Sequence, residues 1–265
     1  MLVNFKFKNF LSFKDENIFT MKASVDKSHE ENLIDTVAGK VSKARIIYGA
    51  NASGKTSFIR AIEFVKAFVF NSNNMMSNFK IAVRPFKFVE NSNDVPSEFE
   101  LTFIKDSIKY IYAFSCTKEK VVYERLDIFY TSKATNIFER TNTTEYKFNI
   151  KEAKDLGQIV TKNLDNKLFL VSLASWNYEK AKPVVDYILN DLQISYNNNA
   201  ASYSFDTIIT NGEYESYKDF CLKILNNADL SISNITYETT KVKNLPNNNG
   251  LNNFIKVLSN GNEDA

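Results

Sequence analysis

The segment Gly49-Ala50-Asn51-Ala52-Ser53-Gly54-Lys55-Thr56 limits the folds open to this chain more than any other stretch. It fits the phosphate-loop pattern of glycine, four residues, then Gly-Lys-Thr. Such a loop sits between a strand and a helix. Arg45–Tyr48 (RIIY) predicts a short buried strand before it. Apolar residues at 58, 59, 62, 65, 68 and 69 predict an amphipathic helix over Lys55–Phe70. Gly49 and Gly54 allow backbone angles that a side chain would forbid and let main-chain amides approach phosphate oxygens. Those amides form an anion nest, and the helix behind points its positive end at the same place. Lys55 supplies a point charge to the β and γ phosphates, and the Thr56 hydroxyl is the expected magnesium ligand. Ser57 is placed for the α phosphate and Ser53 for a further contact. The expected cofactor-binding set is therefore Gly49 through Ser57, with ATP and Mg2+ as cofactors. Adenine is preferred over guanine because no Asn/Thr-Lys-x-Asp base reader is present: TKNLD places Asp165 one position late, and NKLF at 166–169 has no aspartate.

At 265 residues the chain can hold one large domain or two smaller ones. Apolar residues are 44% and charged residues 24%, an ordinary globular balance. A net charge of +2 gives no support to a DNA partner, although a local basic groove is compatible with it. Two cysteines, Cys116 and Cys221, are too few for a disulfide framework, so reduced thiols and a cytoplasmic location are expected. No apolar run approaches the roughly 20 residues of a membrane helix. The start, MLVNFKFKNF, carries neither a signal core nor a cleavage site.

Val3, Phe5 and Phe7 alternate with Asn4, Lys6 and Lys8, the period of a half-buried strand. Asn17–Met21 is its expected partner, with Lys14, Asp15 and Glu16 in the turn. Residues 22–43 are polar and read as a loop. Beyond the linker at 71–78 the texture turns to β: Phe99, Leu101 and Phe103 alternate with polar neighbours, and 108–116, 121–130, Phe138 and 146–150 continue it. These predict an antiparallel meander. Helices are expected at Lys151–Ile159, Tyr178–Leu192 and Tyr214–Asn226, and a strand at Ile232–Glu238. Asn166–Ser175 fits either a strand or the start of a buried helix. Three regions result: 1–80 with the N-terminal strands, loop and first helix; 81–150 as an antiparallel β subdomain; 151–265 as a helical and mixed segment.

FKNFLSFKDENIFTMKA, followed by IIYGANASGKTSFIRAIEFVK, resembles the N-terminal half of the ABC-like AAA-type ATPases of prokaryotic abortive-infection and OLD-like defence systems, relatives of the SMC and RecF ATPases. RPFKF at 84–88, FELTF at 99–103, YIYAF at 110–114 and YERL at 123–126 extend the resemblance. It implies an α/β P-loop NTPase head with a mixed sheet and an antiparallel β subdomain. It also implies a homodimer or higher oligomer, with ATP held between one head's phosphate loop and the other's Ser-Gly signature, and control of a partner effector such as a nuclease or toxin. A DNA-clamping repair head and a non-hydrolysing assembly module are the alternatives.

The chain departs from the family pattern in two respects. No apolar run ending in Asp-Glu follows the loop; PVVDY at 183–187 and RLDIF at 125–129 carry an aspartate alone. The sole histidine, His29, precedes the loop, so no switch histidine follows it. LSNG at 258–261 matches the ABC signature Leu-Ser-x-Gly but also suits a polar tail. No catalytic residue is identified, and the expected head is incomplete, needing a C-terminal half or a second polypeptide. Trp176 and Tyr48 suit adenine stacking, but aromatic packing in a core or interface is favoured. Gln158 suits exposed surface better than a magnesium-contacting glutamine. Arg45 and Arg84 are open between phosphate contact and surface charge, Arg60 and Glu63 read as solvated, and His29 is assigned no metal.

Overall fold

Alternation in the first residues does what it predicts. Strand β1 (Leu2–Lys8) buries Val3, Phe5 and Phe7 and leaves Asn4, Lys6 and Lys8 part-exposed. The computed structural model describes residues 1–26, 28–88, 94–149, 153–194, 212, 214–227 and 233–236. Two compact units divide the chain, Met1–Ile194 and Ser195–Ala265.

The first unit is built on a seven-stranded sheet. Its strands are β1, β2 (Asn17–Thr20), β5 (Ser97–Lys105), β6 (Ile108–Cys116), β7 (Val121–Phe129), β8 (Thr135–Thr141) and β9 (Glu145–Phe148). Their order is β2-β1-β5-β6-β7-β8-β9, and every pairing is antiparallel. A 3₁₀ turn (Glu30–Asn32) leads into a small hairpin of β3 (Leu33–Thr36) and β4 (Gly39–Ser42). This replaces the loop expected over 22–43. The hairpin buries Val41 but leaves its other strand positions part-exposed or exposed, so its sequence carries almost no period-two signal.

One sheet face is aromatic and the other is charged. Helix α1 (Lys55–Ser72) lays Phe58, Phe64 and Phe68 across the aromatic face. Phe58 meets Phe5 and Phe7, Phe64 meets Phe99, and Phe68 meets Phe114 edge-on at 5.6 Å. Helices α2 (Ala153–Val160), α3 (Phe169–Ser175) and α4 (Lys182–Asp186), then a π-helical turn (Tyr187–Asp191), follow the sheet in sequence. Phe169 packs on Phe138, and Tyr187 stacks on Phe103 at 4.0 Å. Asn166–Ser175, open between strand and helix, thus resolves as a turn and α3. The helix expected over Tyr178–Leu192 breaks into α4 and the π turn. The opposite sheet face carries Lys6–Glu100, Lys8–Glu98 and Arg125–Asp127 pairs.

Two charged residues lie on the aromatic face. Glu124 of β7 and Arg140 of β8 are register partners, both fully buried, with Arg140 Nη1 3.8 Å from Glu124 Oε2. Glu124 accepts from the Tyr112 hydroxyl (3.0 Å) and from the Phe169 and Leu170 amides (2.7 and 2.8 Å) at the start of α3. Arg140 donates to the carbonyls of Thr143, Lys167 and Asp165. Burial pushes the Glu124 carboxyl above the ordinary carboxylate range, opposed by the Arg140 charge and these hydrogen bonds. Burial likewise pushes the Tyr112 phenol well up.

In the second unit the described residues form helix α5 (Tyr214–Asn227), whose Tyr214 hydroxyl donates to the Ile235 carbonyl. Tyr217, Phe220 and Ile224 are exposed along it. Of the strand expected at Ile232–Glu238, residues 233–236 are irregular and the rest lies outside the described residues. LSNG at 258–261 also lies outside them.

Candidate functional site

The glycine-framed loop forms an open turn at the N-terminal end of α1. Gly49 to Ser53 and Thr56 are exposed, and Gly54, Lys55 and Ser57 are part-exposed. Gly54 is the helix N-cap with φ of 98°, in the left-handed region. A Cβ there would also lie 3.0 Å from the Phe13 ring, so both dihedral and space require glycine. Gly49 differs from expectation. It is not among the positive-φ residues, and the second left-handed position falls on Ala52 with φ of 63°. At Gly49 a Cβ would meet only the Ser53 hydroxyl, at 2.9 Å. The close contact is with a side chain on an exposed residue, so position 49 is constrained less than Gly54.

Ala52 and Gly54 adopt left-handed angles in this short loop, the kind of turn conformation from which anion nests are built. The Ser53 amide is taken by the Ala50 carbonyl (3.2 Å), and the Gly54 carbonyl accepts from the Phe58 amide. Among the described residues, no backbone acceptor engages the amides of Asn51, Ala52, Gly54, Lys55, Thr56 or Ser57. The Lys55 ammonium folds back over the loop and donates to the Gly49 carbonyl (2.6 Å) and the Ala50 carbonyl (2.7 Å). It therefore sits at the mouth of the nest. The exposed residue Thr56 lies on the first helical turn, and its hydroxyl is an oxygen donor suited to a hard cation. Free amides, an ammonium at the mouth and an adjacent hydroxyl fit a magnesium-bound phosphate chain.

A cleft of about 410 Å³ adjoins the loop, walled by Phe13, Ile18, Phe19, Ile47, Tyr48 and Phe58. The segment leading into the loop is where expectation and structure part. Arg45–Tyr48 was expected as a buried strand, yet Ile46, Ile47 and Tyr48 are 85%, 45% and 90% exposed. A strand needs a hydrogen-bonded neighbour, and the seven-stranded sheet offers none to these residues. Tyr48 consequently lies in solvent beside the loop rather than in a core.

The β1–β2 hairpin supplies two contacts that the motif does not contain. The Phe13 ring lies against Gly54, and the Ser12 hydroxyl is 2.8 Å from the Ser57 hydroxyl. The weaker sequence candidates disperse. Trp176 is 56% exposed, with the Lys162 ammonium 3.9 Å from its ring centre, so it is neither core nor at the loop. Gln158 is exposed on α2. Arg45 donates to the Lys22 carbonyl, and Arg60, Glu63 and Arg84 line one shallow surface depression. His29 pairs with Glu31, and no metal-binding cluster of His, Cys, Asp and Glu occurs among the described residues. Cys116 and Cys221 are free thiols.

No curated protein matches the chain. The profile of the family described as "AAA domain, putative AbiEii toxin, Type IV TA system" matches residues 46–207. The match begins at Ile46, takes in the whole phosphate loop and α1, and runs through the meander and α3. It spans more than half of the 265 residues. The chain therefore belongs to this family and is an AAA-type P-loop ATPase domain of the abortive-infection group.

Proposed function

We propose that this domain binds MgATP through residues Gly49 to Ser57 and uses the bound nucleotide to control its own dimerisation or a partner effector in a toxin–antitoxin or anti-phage setting. The observation that carries the reading is the open nest at the head of α1, with free amides and the Lys55 ammonium at its mouth. The nest amides and Lys55 bind the phosphate oxygens. Thr56 holds the cation through its hydroxyl, and bound magnesium offsets charge on the phosphate chain. The apolar cleft beside the loop suits the face of a purine.

Turnover needs a second carboxylate near the cation and a group that orients water. No Asp-Glu follows the loop in this sequence. The exposed RIIY segment supports an external source: a further polypeptide segment or a partner chain pairing beside it would bring those groups to the nest. On this reading the chain alone binds nucleotide and hydrolyses it slowly or not at all.

The test is thermal. MgATP at a hundredfold excess over its Kd stabilises by about 2.7 kcal/mol, or about 5–10 °C for a domain of this size. Lys55→Ala abolishes the rise. An equal rise in wild type and variant overturns the assignment.

A further inference from the structure

The hairpin tip between β1 and β2 is held more firmly than a surface turn requires. Asn9 and Leu11 both adopt left-handed angles, with φ of 52° and 50°. The Asn9 carboxamide donates to the Val95 carbonyl (2.9 Å) and accepts from the Phe86 amide (3.1 Å). The Asn9 carbonyl accepts from Ser97 Oγ, and the Leu11 amide donates to the Arg84 carbonyl. Phe10 and Phe13 exchange backbone hydrogen bonds around Leu11 and Ser12. Phe13 is then wedged between Phe7, which it meets edge-on at 4.9 Å, and Gly54. These contacts fix the backbone on both sides of Ser12. Its side chain, however, makes no hydrogen bond within the hairpin among the described residues. Its partner is Ser57, on the first turn of α1.

A pair of hydroxyls has a surplus donor. One O–H donates to the other oxygen, and the acceptor's own proton remains unspent. No carboxylate accepts from either hydroxyl among the described residues. The pair lies beside free amides at the positive end of an 18-residue helix, where an anionic oxygen is the favoured acceptor.

We propose that Ser12 is a nucleotide-binding residue: together with Ser57 it presents one hydroxyl proton to an oxygen of the α phosphate of a bound nucleoside di- or triphosphate. The inference rests on the nucleotide reading above and extends the site beyond the loop to the tip of the first hairpin. Ser12 holds the Ser57 rotamer, and the unspent proton is the one that turns to the phosphate. Because the α phosphate is common to both ligands, the contact serves ADP and ATP alike.

Calorimetric titration of the 265-residue chain with MgATP and with MgADP tests this in wild type, Ser12→Ala, Ser57→Ala, the double variant and Ser12→Thr. Melting without nucleotide establishes that each variant is folded. A hydrogen bond to a charged acceptor leads us to expect about tenfold weaker binding in Ser12→Ala. The loss is the same for ATP and ADP, the double variant is no worse than the worse single, and Ser12→Thr retains wild-type affinity. Wild-type affinity in Ser12→Ala, or fully additive losses in the double variant, overturns the Ser12 assignment and leaves the phosphate loop standing. Wild-type protein that binds neither nucleotide overturns both.

Discussion

Replacing Arg140 by Met tests how the aromatic face of the sheet tolerates charge. The side chain is fully buried and makes three hydrogen bonds to carbonyls, of Thr143, Lys167 and Asp165. Methionine keeps most of the volume but strands those acceptors and leaves Glu124 without the only cation paired with it among the described residues. Removing one partner of a buried pair costs about 3–5 kcal/mol, because the other charge stays desolvated. The upper end applies at alkaline pH. In the wild-type protein burial already holds the Glu124 carboxyl above the ordinary range. The folded state therefore binds this proton more firmly than the unfolded state. Its contribution is fully present at acid pH and declines as pH rises through the folded pKa. Loss of the guanidinium raises that pKa further, so the variant's deficit widens with pH and narrows on acidification. Urea unfolding followed by circular dichroism, between about pH 5 and pH 8, measures the effect directly. A deficit below about 1 kcal/mol, or one of constant size across that range, would refute the reasoning.

Two further outcomes follow from the site and its surroundings. Gly54→Ala forces a Cβ into a left-handed position against Phe13 and destabilises the first unit by about 1–3 kcal/mol, with loss of MgATP-induced stabilisation; a variant as stable and as nucleotide-responsive as wild type contradicts the loop geometry. Trp176 is the sole tryptophan, and Lys162 lies over its ring, so Lys162→Glu lowers the efficiency with which iodide quenches the fluorescence; unchanged quenching would remove the pair from solution.

Sequence periodicity revealed the sheet because its two faces differ so sharply. Phe99, Leu101 and Phe103 point to α1 and the π turn while Glu98 and Glu100 face Lys8 and Lys6, so each strand carries its own alternation. Helix α1 was legible for the same reason at the helical period. What depends on distant partners was not. RIIY has the composition of a buried strand whether or not a neighbour lies beside it. Glu124 occupies a core-facing register in VVYERLDIF, and the residues that satisfy it stand at 112, 140, 169 and 170. Within the phosphate loop the residue types were legible but not which positions turn left-handed: Ala52 does so and Gly49 does not. Ser12 escaped notice because its partner is 45 residues away and a lone serine in a turn has no distinguishing pattern.

The placement of β1 has a consequence for biosynthesis. It is an interior strand, flanked by β2 on one side and β5 on the other, and Phe5 pairs with Leu101. Strand β1 thus waits for a strand made nearly a hundred residues later, about 5–20 seconds at ordinary elongation rates. During that interval Phe5, Phe7 and the phenylalanines of α1 have no sheet to cover them. A nascent chain of this kind keeps Phe64 and Phe68 from the rings that cover them until β5 and β6 have emerged.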